Sequence, residues 1–136
     1  MIATSQNEKV KSQNCNLKFK SDLKSRSYNF SIHLIKMTDG VAKTFSSEII
    51  IKQLIRAATS VGANIIEAKS GSSRKDFANF YRHALKSANE TKYWLGLLKD
   101  ACGFDNEKVS SLLTEIHEIS NILGASLLTL KNNSKF

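Results

Sequence analysis

The chain has 136 residues, of which 41% are hydrophobic, and its 20 Lys and Arg outnumber its 12 Asp and Glu to give a formal net charge of +8. This length predicts a single domain with a hydrophobic core, and the absence of Pro is typical of a helical chain, because Pro costs about 3 kcal/mol inside a helix. No apolar run reaches the roughly 18 residues of a transmembrane helix, the N-terminus is too polar for a secretory signal, and Cys15 and Cys102 lack metal-ligand or disulfide spacing, so we expect a cytoplasmic protein with reduced thiols.

The first 20 residues are polar, basic and aperiodic, which predicts a flexible basic tail because such a composition cannot bury enough apolar surface to become ordered. The first helix is predicted from near Ser27 to about Lys43, and Gly40 within it marks either a close helix approach or an early helix end. Its predicted apolar stripe consists of Phe30, Leu34, Met37 and Val41, widened by Tyr28, Ile32, Ile35 and Ala42.

The second helix is predicted from an N-cap at Ser46 or Ser47 to about Lys69. Two apolar stripes lie side by side along it, so this helix either occupies the centre of the fold or also faces another subunit. The first stripe contains Ile50, Leu54, Ala57, Val61, Ile65 and Ala68, and the second contains Ile51, Ile55, Ala58, Gly62 and Ile66.

The third helix is predicted from a cap at Ser72 or Ser73 to about Ala101, with Gly103 as its stop and small residues in the middle of its core stripe. Residues 105–107 can cap a fourth helix, whose apolar stripe ends with Leu127 and Leu130. Four helices joined by short connections predict an all-α fold, an antiparallel up-down-up-down four-helix bundle over residues 21–136.

One face of the third helix is predicted to be basic, because its residues recur at spacings of three and four. Cations separated by amide side chains along a helix can follow a phosphate backbone, and a Tyr at the end can stack on an unpaired base. An ordinary solvated helix face explains the same pattern. The face consists of Lys75, Asn79, Arg82, Lys86, Asn89 and Tyr93.

Three further cations extend this predicted surface. Lys52 and Arg56 lie on the second helix, and Arg74 follows a Ser/Gly turn that can make a phosphate contact at a helix N-terminus. The predicted nucleic-acid-binding residues are Lys52, Arg56, Arg74, Lys75, Arg82, Lys86 and Tyr93.

No catalytic or metal-binding constellation is predicted, and no cofactor. Glu67 and Glu90 can pair as acid and base, but a di-metal carboxylate bundle requires His where the chain has Ser70 and Tyr93. The three His residues fall on three different helices, and Trp94 is expected in the core or at an interface. We expect the polar groups of Arg56, Asn64, Glu67 and Thr91 either to satisfy one another between helices or to cap a subunit contact.

Three segments at their observed separations carry a family resemblance: residues 59–64 with Glu67, residues 73–77, and Glu90-Thr91 with residues 93–95. The chain resembles the bacterial 23S rRNA intervening-sequence, or S23-type, proteins, which are related to the accessory protein of diversity-generating retroelements. The resemblance implies a four-helix bundle and ring-like homo-oligomers, of which pentamers are the best known. For the related retroelement accessory proteins it implies binding to nucleic acid and to a reverse transcriptase, which makes a reverse transcriptase one candidate protein partner. Ser87 stands where these proteins usually have Glu.

The leading hypothesis is therefore a non-enzymatic, oligomeric four-helix bundle that binds nucleic acid, RNA more readily than DNA, through its basic helix face. The alternative is an oligomeric protein-interaction scaffold whose basic surface docks an acidic protein partner. Neither hypothesis involves a membrane.

Overall fold

The computed structural model describes residues 22–133, so the predicted tail over residues 1–20 and the last three residues lie outside the described part. Each helix packs against the next, and the first packs against the last. The described residues thus form the predicted all-α bundle, with four antiparallel helices in a ring. The helices are α1 (Leu23–Asp39), α2 (Phe45–Lys69), α3 (Arg74–Ala101) and α4 (Glu107–Asn133).

The turn between α1 and α2 differs from the sequence prediction. The first helix ends at Asp39 rather than near Lys43, and Gly40 is its C-cap, so the early-end alternative is correct. The N-cap of α2 is Thr44, not Ser46 or Ser47: its hydroxyl accepts a hydrogen bond from the Ser47 amide at 3.3 Å, and the Ser47 hydroxyl accepts one from the Thr44 amide at 2.8 Å. A reciprocal capping box requires two residues three positions apart, each of whose side chains bonds to the backbone amide of the other. Among the candidate caps, only Thr44 has such a partner, Ser47.

The caps of α3 and α4 confirm their predicted positions. The Ser73 hydroxyl accepts a hydrogen bond from the Asp76 amide at 3.1 Å. The Asp76 carboxylate accepts a hydrogen bond from the Ser72 hydroxyl rather than from the Ser73 amide, so Ser73 caps α3 without a reciprocal capping box. Asn106 caps α4 through the Val109 amide. Gly103 follows α3 with a φ of +76°, a conformation that L side chains rarely adopt, so it stops the helix as expected.

The helices α2 and α3 make the most extensive contact in the bundle. Both contribute small buried side chains to the core, including Ala57 and Ala58 on α2 and Ala84 and Ala88 on α3. Larger residues from all four helices fill the space around this small-residue seam. Small residues at a helix contact let two backbones approach closely, so the seam fixes how α3 is placed on α2.

Several residues assigned to apolar stripes are exposed. Tyr28 is 66% exposed, Ile35 38% and Ile66 45%, and Ala42 also faces solvent. Each helix of a four-membered ring contacts only two neighbours, so a stripe that covers half a helix circumference exceeds what the ring buries. Tyr28, Ile35 and Ala42 of the widened α1 stripe, and Ile66 of the second α2 stripe, therefore lie outside the core of the bundle, whereas Ile32 is half-buried.

Among the described helices, α2 alone is long and apolar enough, by length and composition, to cross a membrane. Its residues Leu54, Val61 and Ile65 are fully buried against the other helices. That burial is typical of the core helix of a soluble helical domain.

The helices have unequal lengths, with 17 residues in α1 against 27 in α4. Arg26, near the start of α1, pairs with Glu115 at 2.7 Å and Glu118 at 2.5 Å. Beyond Glu118, α4 continues for about 22 Å at 1.5 Å per residue. At the end of the bundle that extends beyond the first residue of α1, the described residues belong to α2, α3 and α4 alone. We call this end of the bundle the three-helix end. Leu127 and Leu130 continue the core stripe into it and are only half-buried.

Burial of Tyr81 gives a testable dependence of stability on pH. Burial raises the pKa of the Tyr81 phenol from its ordinary value of 10.0, because the ionised form is poorly solvated inside the bundle. Since the folded-state pKa is the higher one, the stability contributed by neutral Tyr81 is fully present below pH 10 and is lost as the pH rises through the folded value. Urea unfolding from pH 8 to pH 11.5 should show this loss in the native chain and not in Tyr81→Phe. Parallel profiles of the two proteins would contradict it.

Candidate nucleic-acid interface

The predicted basic face of α3 is exposed along its whole length. All six of its residues face solvent, while Ala84, Ala88 and Leu95 on the opposite side of the helix are fully buried. Burial of the small-residue seam thus orients the basic residues outward. We call Lys75, Asn79, Arg82, Lys86, Asn89 and Tyr93 the α3 basic face.

The three cations of this face form no ion pair with any residue in the range 22–133: neither Lys75, Arg82 nor Lys86 has a carboxylate within 4.0 Å there. Lys75 and Lys86 are eleven residues apart, which is about 16 Å along the helix axis. These charges are therefore available to an external anion along a straight line.

The two predicted cations of α2 are already engaged. Arg56 lies beside α3 and pairs with Glu90 at 2.6 Å, and it also donates to Gln53 at 3.1 Å. Lys52 pairs with Glu48 at 3.7 Å one turn earlier on its own helix. Exposed pairs of this kind contribute about 0–1 kcal/mol, so an anion can compete for either cation, but the structure adds no unpaired charge from α2 to the face.

Polar groups line the edge of the α2–α3 contact, but the prediction that Arg56, Asn64, Glu67 and Thr91 satisfy one another is wrong, because three of them bond to other residues. The Ser87 hydroxyl donates to the Ser60 hydroxyl at 3.0 Å across the two helices. Asn64 and Thr91 bond within their own helices, to Ser60 and Ser87 respectively. Glu67 is exposed and takes no part in this network of described residues.

The carboxylates Glu67 and Glu90 do not form a shared site, because Glu90 is held by Arg56. Within residues 22–133 no three His, Cys, Asp or Glu side chains lie close enough together to hold a metal ion. His33, His83 and His117 are exposed on α1, α3 and α4.

Tyr93 ends the α3 basic face with its side chain 60% exposed. Its ring meets the edge of Trp94 at a centroid distance of 5.1 Å. Trp94 itself is half-buried against the core, as predicted, and supports the Tyr93 ring from one side. The ring of Tyr93 therefore offers a braced aromatic surface where the line of cations ends.

A groove of about 650 Å³ opens between α3 and α4 at the three-helix end. Its described floor consists of Ala78, Leu127 and Leu130. We call it the basic groove, because the described residues of its rim are Arg74, Lys75, Arg82 and Lys131.

No carboxylate of a described residue lines the basic groove. It continues the α3 basic face, since Lys75 and Arg82 belong to both. The sequence interpretation included the rim residues Arg74, Lys75 and Arg82 but neither Lys131 nor the groove itself, because it assigned Leu127 and Leu130 to the core. The signal that it missed is the shortness of α1, which leaves these leucines partly uncovered.

The sequence profile of the family described as 23S rRNA-intervening sequence protein matches residues 20–125. The chain belongs to this family. The present structure resembles the crystal structure of a protein of unknown function from the S23 ribosomal protein family of Bacteroides thetaiotaomicron. The two chains have 32% sequence identity and a TM-score of 0.72. The match covers 81% of this chain and 98% of that one. No curated protein matches.

The comparison confirms the predicted family and four-helix fold for this 23S rRNA-intervening sequence family protein. The matched segment, residues 20–125, contains the whole α3 basic face but ends before Leu127 and Leu130 of the basic groove.

Proposed function

We propose that this family protein is a non-enzymatic, self-associating cytoplasmic bundle that binds nucleic acid, RNA in preference to DNA, through the α3 basic face. One observation carries the proposal: Lys75, Arg82 and Lys86 are exposed in a line and unpaired among the described residues, whereas Arg26 and Arg56 have carboxylate partners. The braced ring of Tyr93 favours a strand with unpaired bases, which RNA loops and ends offer.

Binding would be electrostatic. Three phosphate contacts per subunit predict a slope of about −2 for log K against log salt on single-stranded RNA. In an assembly of several copies the contacts add, because each further contact becomes intramolecular, and affinity then exceeds that of a single face.

Fluorescence anisotropy of labelled hairpin RNA, single-stranded RNA and duplex DNA over a salt series tests the proposal. We expect Arg82→Glu combined with Lys86→Glu to weaken RNA binding by at least about tenfold at low salt and to flatten the salt dependence, because it removes two phosphate contacts and adds repulsion.

The matched control is Lys24→Glu combined with Lys108→Glu, which makes the same change of net charge on exposed residues of α1 and α4. If both double variants weakened binding equally, the effect would reflect net charge alone, and the α3 basic face would not be the interface. An absence of RNA binding even at low salt would reject the proposal.

Self-association is supported by the outer face of α2. Phe45 is 83% exposed and Ile49 49% near the start of α2, and Ile66 is 45% exposed near its end; no described residue covers these apolar side chains. A second copy of the chain would bury these side chains.

We expect Phe45→Ser combined with Ile49→Ser to lower the molar mass measured by light scattering after size exclusion toward that of the 15.1 kDa monomer. Leu128→Ser on α4, at a residue 62% exposed, is the matched control and should leave the mass unchanged. The family resemblance implies a pentamer for the native chain. An unchanged mass in the α2 variant would place the subunit contact elsewhere.

The same exposed apolar side chains of α2 are also consistent with the alternative function, an oligomeric scaffold whose basic surface docks an acidic protein partner. In that case charge reversal on α3 changes binding only when the partner is present, and RNA affinity is weak in every variant.

A further inference from the structure

We infer that the basic groove holds an unpaired nucleotide of the bound RNA, with the base on the leucine floor and the adjoining phosphates on the rim. This inference rests on the proposed RNA binding and adds what part of the RNA is recognised.

The floor is apolar and incompletely buried. Leu127 and Leu130 continue the core stripe of α4, but α1 begins too late in the bundle to cover them, and Ala78 opposite is too small to fill the space. Leucines that are partly exposed in a concave surface gain from being covered by a flat apolar ligand. The faces of a nucleobase are such a surface, and a base is extruded from its strand only where it is unpaired.

The rim has the charge that a nucleotide requires. Arg74 and Arg82 each lie four residues from Ala78 along α3, so cations stand about 6 Å along the axis on either side of the floor. Lys75 adds a third exposed charge, and none of these three side chains has an ion pair with a described residue. Asp76, the nearest acid on α3, accepts a hydrogen bond from Ser72 and lies outside the lining.

The groove is large enough for one nucleotide and too small to admit an RNA duplex. Its volume of about 650 Å³ lies within the usual range for small-ligand sites, about 300–1,000 Å³. A continuous duplex presents phosphates to the rim but keeps its bases stacked, so it can meet the α3 basic face without using the floor. The groove thus distinguishes RNA ends and loops from uniform duplex.

The test compares three RNAs with the full chain by anisotropy: a blunt hairpin, the same hairpin with a three-nucleotide 3′ overhang, and that overhang made abasic. The abasic strand keeps every phosphate and loses only the bases. We expect the overhang RNA to bind about fivefold more tightly than the abasic one, which is the low end of the range for a base stacked on an aromatic ring, because leucine covers a base without stacking on it.

Leu127→Gln should abolish that difference by making the floor polar, while Leu128→Gln, the same change one residue on and outside the groove, should preserve it. Thermal unfolding followed by circular dichroism tests whether both variants fold. If Leu127→Gln does not fold, a 5-iodouridine placed in the overhang provides a second measurement, because its photo-crosslink should fall on peptides containing Ala78 or Leu127.

Salt-dependent binding of all three RNAs with equal affinity would overturn the inference and leave the α3 basic face as the interface. No binding of any RNA would overturn both. Displacement of the overhang RNA by an acidic leucine-containing peptide, with no effect of the abasic change, would assign the groove to a protein partner and also overturn the inference.

Discussion

Ala88→Leu should lower the free energy of unfolding by about 3 kcal/mol, the upper part of the range for overpacked cores. Ala88 is fully buried in the small-residue seam between α2 and α3, the two helices with the most extensive contact in the bundle. Three added carbon atoms cannot fit unless the two backbones separate, and separation would also loosen the neighbouring Ala84 contact. Urea unfolding followed by circular dichroism measures the loss.

Ala125→Leu provides the control for this substitution, because Ala125 is exposed on α4 and the same side chain is added without a neighbour to displace. We expect it to change stability by less than about 0.5 kcal/mol, as for other surface substitutions. Equal effects at the two positions would mean that the seam is not tightly packed.

Arg26→Ala should destabilise the fold by about 2 kcal/mol, less than the 3–5 kcal/mol of a fully buried pair because the two glutamates keep part of their hydration. The Arg26 side chain is only 12% exposed and joins α1 to α4 through Glu115 and Glu118. The hydrogen bond that Arg26 donates to the Glu115 carboxylate raises the pKa of the Arg26 guanidinium by more than burial lowers it, so this ion pair persists at alkaline pH. Removing Arg26 leaves two neighbouring carboxylates without their shared cation.

Lys24→Ala, at an exposed residue two positions earlier on α1, is the matched control and should be nearly neutral. Combining Arg26→Ala with Glu115→Ala in a double-mutant cycle isolates the pair itself. A coupling energy near zero would show that Arg26 contributes through packing alone.

Helix positions and the inward faces were readable from the sequence because they depend on local rules. The core stripe of α3 and its cap at Ser73 follow from spacing and from a hydroxyl before an acidic residue. The Thr44 cap was missed because three hydroxyl residues, Thr44, Ser46 and Ser47, are candidates for the N-cap, and only the spacing required by the reciprocal hydrogen bonds decides among them.

Only part of the candidate site could be predicted from the sequence, because the rest depends on contacts between helices. The α3 basic face is one helix surface, and its exposure follows from the buried alanines behind it. Pairing between helices does not follow from one helix alone. The partnership of Arg56 with Glu90 spans 34 positions of the chain, and the basic groove depends on α4 extending past the start of α1.

The three-helix end also implies that stability is unevenly distributed along α4. Its first turns are enclosed by α1 and α3, whereas its last turns lack the cover of α1. Local opening of the last turns exposes little core, so it should cost less free energy than global unfolding and occur far more often. A ligand that bridges α3 and α4 there would suppress this opening, and part of its binding energy would appear as reduced motion at the end of α4 rather than as a change in structure.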